Sequence, residues 1–437
     1  MANRYAFESV NKTFQDIMEN MLPFGGKTMI FGGDFRQVLP VVKKGSAREQ
    51  IAASISRSTF WNDVNVIHLY QNMRSVEDIE FSQLLLRIGD GLQHCVNGDF
   101  IKLPDSMVIP WENEHSISQL IDFVFPDMVE HINDANYMVS RAIITPKNAD
   151  VDKINELLIS KFPGEEREYA SWDTIEDDNN NLFQEEFLNT LSPSGLPLHR
   201  IVLKVGCPIM LLRNVGPELG LCNGTRLICR NLYTNFIDAE IIAGPHKGTR
   251  YFLHRMPLKS ELDSGLPLEL TRKQFPIRLS FALTINKAQG KTIPNVGIFL
   301  HDHVFSHGQL YVALSRGHQW NNLTNYDLFY TNNIHNLMRI QTTGLRWNYR
   351  HECPPNSERN ETHLGAVCGK LFITSLRTHI TSKMSQGNIN NGNAPPSITL
   401  TREDLTALME NTAALAAKDA VAQYLETRKH KSSKKKA

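Results

Sequence analysis

KTMIFGGDFRQVLP, residues 27–40, decides the fold. Lys27 to Phe31 has the length and apolar character of a short buried strand, and it opens through Gly32-Gly33 into a polar loop holding Asp34, Arg36 and Gln37. Just upstream, Phe7, Val10, Phe14, Ile17 and Met21 recur at the spacing of one helix face, which ends at Pro23-Phe24-Gly25-Gly26. A helix followed by a strand whose C-terminal end opens into a glycine loop is the grammar of an α/β sheet. Loops at strand C-termini are where such sheets bind ligands.

Outward from this stretch the same grammar continues. Val64 to Leu69 and Arg141 to Ile144 read as strands, the second leading through Thr145-Pro146-Lys147-Asn148 into a helix over 151–158. Between about 173 and 265 the pattern changes. An acidic, Asn-rich loop from Asp173 to Asn181 gives way to short strands at 201–206, 208–212 and 225–230, separated by Gly, Pro and Asn223-Gly224 turns. This reads as a small β-barrel insertion, with Asn223-Gly224 a plain hairpin turn. The α/β pattern then returns with a strand near Arg278 to Ala282, a helix-forming stretch from Thr284 to Gln289, a strand from Val296 to Leu300 and a helix in GQLYVALSR, 308–316. Ser385 to Pro396 is a linker by composition, and a helix over 401–428 precedes the basic run Lys429 to Lys436. That run reads as a solvated terminus or a weak nuclear-localisation or nucleic-acid patch.

Composition excludes several classes. With 41% hydrophobic and 21% charged residues the chain is neither disordered nor collagenous. No apolar run approaches the ~18 residues of a membrane span, and the N-terminus has no secretory pattern. Six cysteines without a CxxC pair suggest neither a zinc ribbon nor a disulfide framework, and fit a reducing compartment. Lys+Arg and Asp+Glu are equal at 46 each, so any argument for a polyanionic partner must be local.

Two GK[ST] strings, Gly26-Lys27-Thr28 and Gly290-Lys291-Thr292, lack the first glycine that a phosphate-wrapping loop needs five residues before the second; Met21 and Ile285 stand there. No apolar strand ends in an Asp-Glu pair suited to magnesium. What the chain does carry is a set of phosphate-directed side chains at the ends of α/β elements: Asp34, Arg36 and Gln37, then Arg74 in LYQNMR, then Arg316 in YVALSR. Guanidinium forks pair with phosphoryl oxygens, and a glutamine amide can position water.

The ordered set GGDFRQVLPVV, QNMR, AIITPKNADVDKIN, SGLPLHRIVLKVGCPIMLLRN, GLCNGTRLI, LTINKAQGKTI and GQLYVALSR resembles the PIF (petite integration frequency) family of superfamily 1 DNA helicases, most of all its Helitron transposon form, over roughly residues 1 to 330. The resemblance implies an ATP-dependent 5′-to-3′ DNA helicase using ATP and Mg2+ on single-stranded or forked DNA. The implied fold is α/β, with two RecA-like parallel sheets of the P-loop NTPase type and an SH3-like β-barrel inserted in the second. Its boundaries would be 1–138 for the remainder of the first RecA-like domain, 139–172 with 266–345 for the second, and 173–265 for the barrel. An irregular segment and linker at 346–400 and the helix with basic tail at 401–437 would follow.

By the same resemblance Gln37 links γ-phosphate to DNA, Arg74 is a phosphate ligand and Arg316 an arginine finger, these three being catalytic. Gly33, Asp34, Gln37, Arg74, Gln289, Gly290 and Arg316 would line the nucleotide, while Arg36, Thr284, Lys287 and Lys291 would meet DNA. This sequence has Asn286 where many relatives carry His. Arg272, Lys273, Arg278, Lys287 and Lys291 form a locally basic stretch suited to strand phosphates.

The family's phosphate-cradling loop and Asp-Glu pair lie upstream of the helix that here begins near Asn3. The chain is therefore expected to be a helicase by descent that cannot hydrolyse ATP alone, with the first RecA-like sheet incomplete. The alternative is a non-catalytic single-stranded nucleic-acid-binding or interaction protein, with helix 401–428 available for self-association or a partner. The resemblance implies settings in DNA repair, recombination and telomere maintenance, in the nucleus or mitochondrion, and no membrane.

Overall fold

The computed structural model describes residues 1–43, 45–68, 75, 78–98, 100–104, 107–110, 113, 115–175, 183–193, 195–260 and 269–317, with the backbone of short strands at 329–331, 337–339 and 370–374. Arg74, the helix expected over 401–428 and most of 346–400 lie outside the described residues.

Strand β1 (Met29–Gly33) follows helix α1 (Arg4–Met18), in the predicted order. The helix begins where the Asn3 side chain accepts the Tyr5 amide, a capping bond that satisfies one of the open first-turn N–H groups. Only Phe7 and Phe14 of its expected apolar face pack inward, onto a cluster of Phe24, Phe35, Ile55 and Phe60. Val10, Ile17 and Met21 are 42%, 71% and 84% exposed, and Met21 lies beyond the helix end, so the expected stripe is covered over less than half its length. Phe31 on β1 meets Phe7 edge-on at 5.5 Å, which fixes the strand against the helix.

β1 and β2 (Asn65–His68) do not pair with each other. Strand Lys370–Thr374 lies between them, antiparallel to both, in register Phe31↔Phe372 and Val66↔Phe372. The expectation of an irregular 346–400 segment thus fails at KLFIT, whose β-branched and aromatic residues favour a strand. This first sheet has three described strands, and both of its pairings are antiparallel rather than parallel.

The second sheet is all-parallel. Its order is β5 (Ala282–Thr284), β4 (Arg141–Thr145), β6 (Asn295–Leu300), β7 (Phe329–Thr331) and β3 (Val108–Pro110). Residues Ala142 to Thr145 are buried without alternation, as a parallel strand covered on both faces requires. The expected boundary at 138 is therefore too late: β3 belongs to this sheet, and helix α3 (His115–Val124), which follows helix α2 (Ile79–Gly89), packs on β4 and β6. Helix α4 (Asn148–Lys161) lies on the sheet through Val151, Ile154 and Leu158. Its buried Asn155 accepts the Ala282 amide at 2.9 Å and donates to the Leu279 and Ala282 carbonyls, pinning the chain where it enters β5.

The inserted β module is larger than the expected 173–265. It starts at strand Glu166–Ala170, paired with Arg200–Lys204, and ends at Ile277–Leu279. Its five-stranded antiparallel sheet runs Arg250–His254, Phe236–Ile241, Arg226–Leu232, Pro208–Leu211, Ile277–Leu279. The single strand expected near Arg278 to Ala282 is two strands in two sheets, separated at Ser280-Phe281. Asp173, expected in a loop, sits in strand Trp172–Ile175 and takes the guanidinium of fully buried Arg272 at 2.9 and 2.6 Å. Arg272 is therefore a core cation and not part of a basic face. Arg226, also buried, joins module to sheet by donating to the carbonyls of Met138, Val139, Arg141 and Ser280; burial pushes its pKa down to about 10.

Candidate functional site

The loop after β1 is shaped by Asp34. Its Oδ1 accepts the Arg36 amide at 3.1 Å, its backbone carbonyl accepts the Gln37 amide at 3.2 Å, and its Oδ2 accepts the Tyr311 hydroxyl at 2.9 Å. An aspartate that bonds its own backbone two residues on makes such a turn locally stable. Arg36, expected to meet DNA, instead lays its guanidinium on Asp90, with Nε and Nη2 at 2.7 and 3.0 Å from the two oxygens. Burial works against its charge, yet Asp90 and Asp34 hold the guanidinium above its ordinary pKa. Gly89 makes this packing feasible, because a Cβ there would stand 2.7 Å from Arg36 and 2.9 Å from Tyr311.

Helix α5 (Ile285–Ala288) follows β5, and helix α6 (Gln309–Leu314) follows β6; both start at strand C-termini and face this loop. Gly308 caps α6 with φ +73°, and a Cβ on it would lie 2.4 Å from the Arg36 carbonyl oxygen and 2.6 Å from the Gln37 carbonyl carbon. Only glycine permits both the backbone conformation and the approach. Its neighbour His307 is buried, and its Nε2–H donates to the Phe35 carbonyl at 3.2 Å. Burial lowers the imidazole pKa against the opposing pull of that carbonyl and of Asp34.

Gln289 reaches the same loop from α5: its Nε2 donates to Gln37 Oε1 at 2.9 Å. Buried Gln309 ties the two helices together, accepting the Phe305 and Ser306 amides and donating to Asn286 Oδ1 at 3.4 Å. Asn286, at the position where the resemblance leads one to expect His, thus has a defined partner. Thr284 caps α5 by position without a side-chain bond, and Gly290 has φ +77° with open space around it.

The two candidate strand lysines turn toward the β module. Lys287 Nζ donates to Asn223 Oδ1 at 2.8 Å, and Lys291 Nζ donates to the Gly224 carbonyl at 3.0 Å. Burial first, then Arg213 and Arg278, lowers the Lys287 pKa; burial, Arg226 and Lys287 push Lys291 down to about 8. The Asn223-Gly224 turn, read in the sequence as a plain hairpin, receives both ammonium groups. Arg278, grouped with these lysines in the sequence, pairs through Nε with Asp152 at 2.8 Å.

Arg316, the expected finger, is buried. Its Nε donates to the Val312 carbonyl at 3.0 Å and its Nη1 to the Lys291 carbonyl at 2.7 Å. In this arrangement it fastens α6 to the segment after α5. Gly33 is exposed at the end of β1.

The structure thus brings together Asp34, Arg36, Gln37, Gln289 and, through Lys291, Arg316. Sequence reasoning missed Asp90, His307, Gly308 and Tyr311; Gly308 and Tyr311 stand inside the quoted GQLYVALSR, where their i, i+3 spacing marks one helix face. Asp34 is the carboxylate closest to the role of a Mg2+ ligand, but Tyr311 and Arg36 occupy its oxygens. Among the described residues no group of three His, Cys, Asp or Glu could hold a metal ion. The described side chains therefore do not fit a resident magnesium site. No helix among the described residues is long and apolar enough to cross a membrane.

Comparison with known proteins places this geometry. Residues 1–98 match the PIF1-like helicase family, and residues 186–232 match the DNA helicase Pif1 2B domain. The ATP-dependent DNA helicase PIF1 of Danio rerio is 27% identical over 314 residues, which is 71% of this chain and 42% of that protein. The ATP-dependent DNA helicase Pif1 of Bdellovibrio bacteriovorus is 24% identical over 304 residues, 69% of this chain and 58% of that protein. The chain thus spans about two fifths to three fifths of the length of these relatives. Among solved structures, Bacteroides Pif1 bound to ssDNA matches at 22% identity and TM-score 0.49, over 76% of this chain and 68% of that one. Pif1 helicase from Candida albicans matches at 20% identity and TM-score 0.47, over 78% and 73%. Two family matches in the expected order, one on the Asp34–Gln37 loop and one on the module that meets Lys287 and Lys291, agree with the motif reading and support a likeness to PIF1 family superfamily 1 helicases.

Proposed function

We propose that these 437 residues form the γ-phosphate-sensing and strand-contacting portion of an ATP-dependent 5′-to-3′ DNA helicase. The observation that carries this reading is the 2.9 Å bond from Gln289 to Gln37. It joins a loop at the end of one sheet to the segment bearing Lys287 and Lys291 on another, so a displacement at either end has a direct path to the other. In the working enzyme Gln37 would sense the γ-phosphate of Mg2+-bound ATP. Thr284, Lys287 and Lys291 would take single-strand phosphates, and Arg316 would complete the nucleotide site once withdrawn from the Lys291 carbonyl. Arg36, held by Asp90, shapes the loop rather than meeting DNA. The domain reading becomes a first helicase domain ending before 108, a second built on the parallel sheet, and an SH3-like module over 166–279. Forked DNA and a nuclear or mitochondrial setting in repair or recombination belong to the same proposal.

The chain holds no glycine-lysine loop at phosphate-wrapping spacing, so the reading includes strand binding without ATP turnover by these residues alone. The test is fluorescence anisotropy of a labelled single strand and a blunt duplex with the full chain and with Lys287→Gln/Lys291→Gln. Binding that prefers the single strand and falls at least tenfold in the double variant is expected. Equal affinity for both DNAs, or an unaffected variant, would reject the assignment.

A second reading, a non-catalytic strand-binding protein, is favoured by the commitment of Arg316 to backbone carbonyls. It differs in giving Gln37 no nucleotide to sense.

A further inference from the structure

We propose that the β module carries a second nucleic-acid surface, a platform of Tyr233, Phe236 and Phe252 flanked by Arg167 and Arg255, on which unpaired bases of a single strand stack. The inference rests on the strand-binding reading above and adds to it a surface that lies outside the quoted motifs.

The rings form one cluster at the end of the five-stranded sheet. Tyr233 stacks on Phe236 with centroids 4.4 Å apart, and Phe236 meets Phe252 edge-on at 5.2 Å. His254 lies opposite Phe236 in register, 6.2 Å away between rings. Cross-strand ring pairs stabilise a sheet by packing on each other. Here, however, Tyr233 and Phe252 remain 45% and 62% exposed, and Phe252 sits mid-way along the edge strand Arg250–His254. Packing within the sheet therefore leaves most of the Phe252 ring uncovered.

The charge beside the rings is positive. The Tyr233 carbonyl accepts the Tyr169 hydroxyl at 2.9 Å, and the guanidinium carbons of Arg167 and Arg255 stand 5.9 and 5.5 Å from the Tyr169 ring centre. Arg167 donates to the Leu232 carbonyl at 2.7 Å and to the Thr234 hydroxyl at 2.8 Å, both neutral acceptors. Neither arginine takes part in an ion pair among the described residues. The carboxylates of the neighbouring strand are committed elsewhere: Asp238, opposite Phe252, takes Arg250 and Asn231, and Glu240 takes Arg230 at 2.8 Å. Exposed rings next to guanidinium groups without carboxylates suit a polyanion that has planar faces to offer. A single strand has both, whereas the bases of a duplex are already stacked.

The platform is also within reach of a strand held at the lysines. Strand Arg226–Leu232 is seven residues long, roughly 20 Å at ~3.3 Å per residue. The Asn223-Gly224 turn, where Lys287 and Lys291 end, precedes it, and Tyr233 follows it. At the ~3.4 Å per nucleotide of a stacked strand, about six nucleotides span that distance. Shorter strands reach one surface or the other.

The test measures binding of labelled single strands of about four to about twenty nucleotides to the full chain. The variants are Tyr233→Ala, Phe252→Ala, Phe252→Leu, Phe252→Trp, Arg255→Gln and the exposed-ring control Phe187→Ala, each checked for an unchanged melting midpoint. Phe252→Ala and Phe252→Leu are expected to weaken binding of the long strand about tenfold and of the short one little, and Phe252→Trp to preserve both. Retention by tryptophan but not by leucine separates stacking from mere apolar packing. Arg255→Gln lowers the magnitude of the log K against log salt slope by about 0.7, one phosphate contact, while the Phe252 variants leave the slope unchanged. Phe187→Ala binds as the unaltered chain does. Unchanged long-strand binding in Tyr233→Ala and Phe252→Ala overturns the proposal and leaves the platform to a protein partner. Full binding by Phe252→Leu, equal losses at every length, or an equal loss in Phe187→Ala also overturns it, while the strand-binding reading stands. Failure of the unaltered chain to bind any strand rejects both.

Discussion

Gln289 donates its side-chain amide to Gln37 at 2.9 Å, a bond between residues 252 apart in the chain. Around it the Asp34–Gln37 loop is held from three sides: by Asp90 at the end of α2, by Gln289 after α5, and by His307, Gly308 and Tyr311 at the start of α6. The second glutamine lies two residues after Lys287 and two before Lys291. A loop held in this way has few positions open to it, which is what a sensor with two discrete states requires.

The bond has a measurable energy. A double-mutant cycle of Gln37→Ala and Gln289→Ala, read by urea unfolding, is expected to give a coupling of about 0.5–1.5 kcal/mol, that of a partly buried neutral hydrogen bond. Strict additivity of the two substitutions would deny the contact.

Gly308→Ala places a Cβ 2.4 Å from the Arg36 carbonyl oxygen at φ +73°. The expected cost is above ~1 kcal/mol of stability, since backbone on both sides has to shift. Because the clash falls on residues 36 and 37, the same variant should also weaken the Gln37–Gln289 coupling. A variant with wild-type stability and coupling would contradict this account of the approach.

Arg226→Met leaves the carbonyls of Met138, Val139, Arg141 and Ser280 without their donor between module and sheet. A loss of roughly 3 kcal/mol or more is expected from several buried acceptors left unpaired. Denaturant unfolding measures it, and a loss under ~1 kcal/mol would mean that water reaches the seam.

Strand binding should depend on pH through Lys291, whose pKa burial and the neighbouring Arg226 and Lys287 push down to about 8. A lysine with a lowered pKa is charged below that value and neutral above it. Affinity should therefore be full near pH 7 and fall as pH rises through about 8 and beyond, a bound phosphate moving the midpoint upward. Lys291→Gln is expected to bind more weakly and with a flatter profile between pH 7 and 9. An unaltered profile in that variant would remove Lys291 from the interface.

Much of this arrangement was legible in the sequence. Apolar runs gave β1, β4 and β6, Gly32-Gly33 marked the loop after β1, and the motifs holding Gln37 and Gln289 stood out in the sequence, though not the bond between them. Long-range pairing decided what was not legible. Val108–Pro110 is three residues long, too short to carry a period, and joins the parallel sheet only through its neighbour β7. Arg272 read as part of a basic face because its partner, Asp173, read as a loop acid 99 residues away. Ile277–Leu279 and Ala282–Thr284 are near neighbours in sequence, and nothing local says that they belong to different sheets. The Asn223-Gly224 turn gave its conformation away in the sequence, but not the two lysines that end on it.

The most direct test of the account is ATP hydrolysis by the purified 437-residue chain, with and without single-stranded DNA that it is shown to bind, beside Arg316→Ala. The expected result is strand binding with no turnover above that of the variant, as residues that sense a γ-phosphate without a loop to cradle it should give. Strand-stimulated turnover abolished by Arg316→Ala would contradict it, and would mean that these residues build a complete phosphate site.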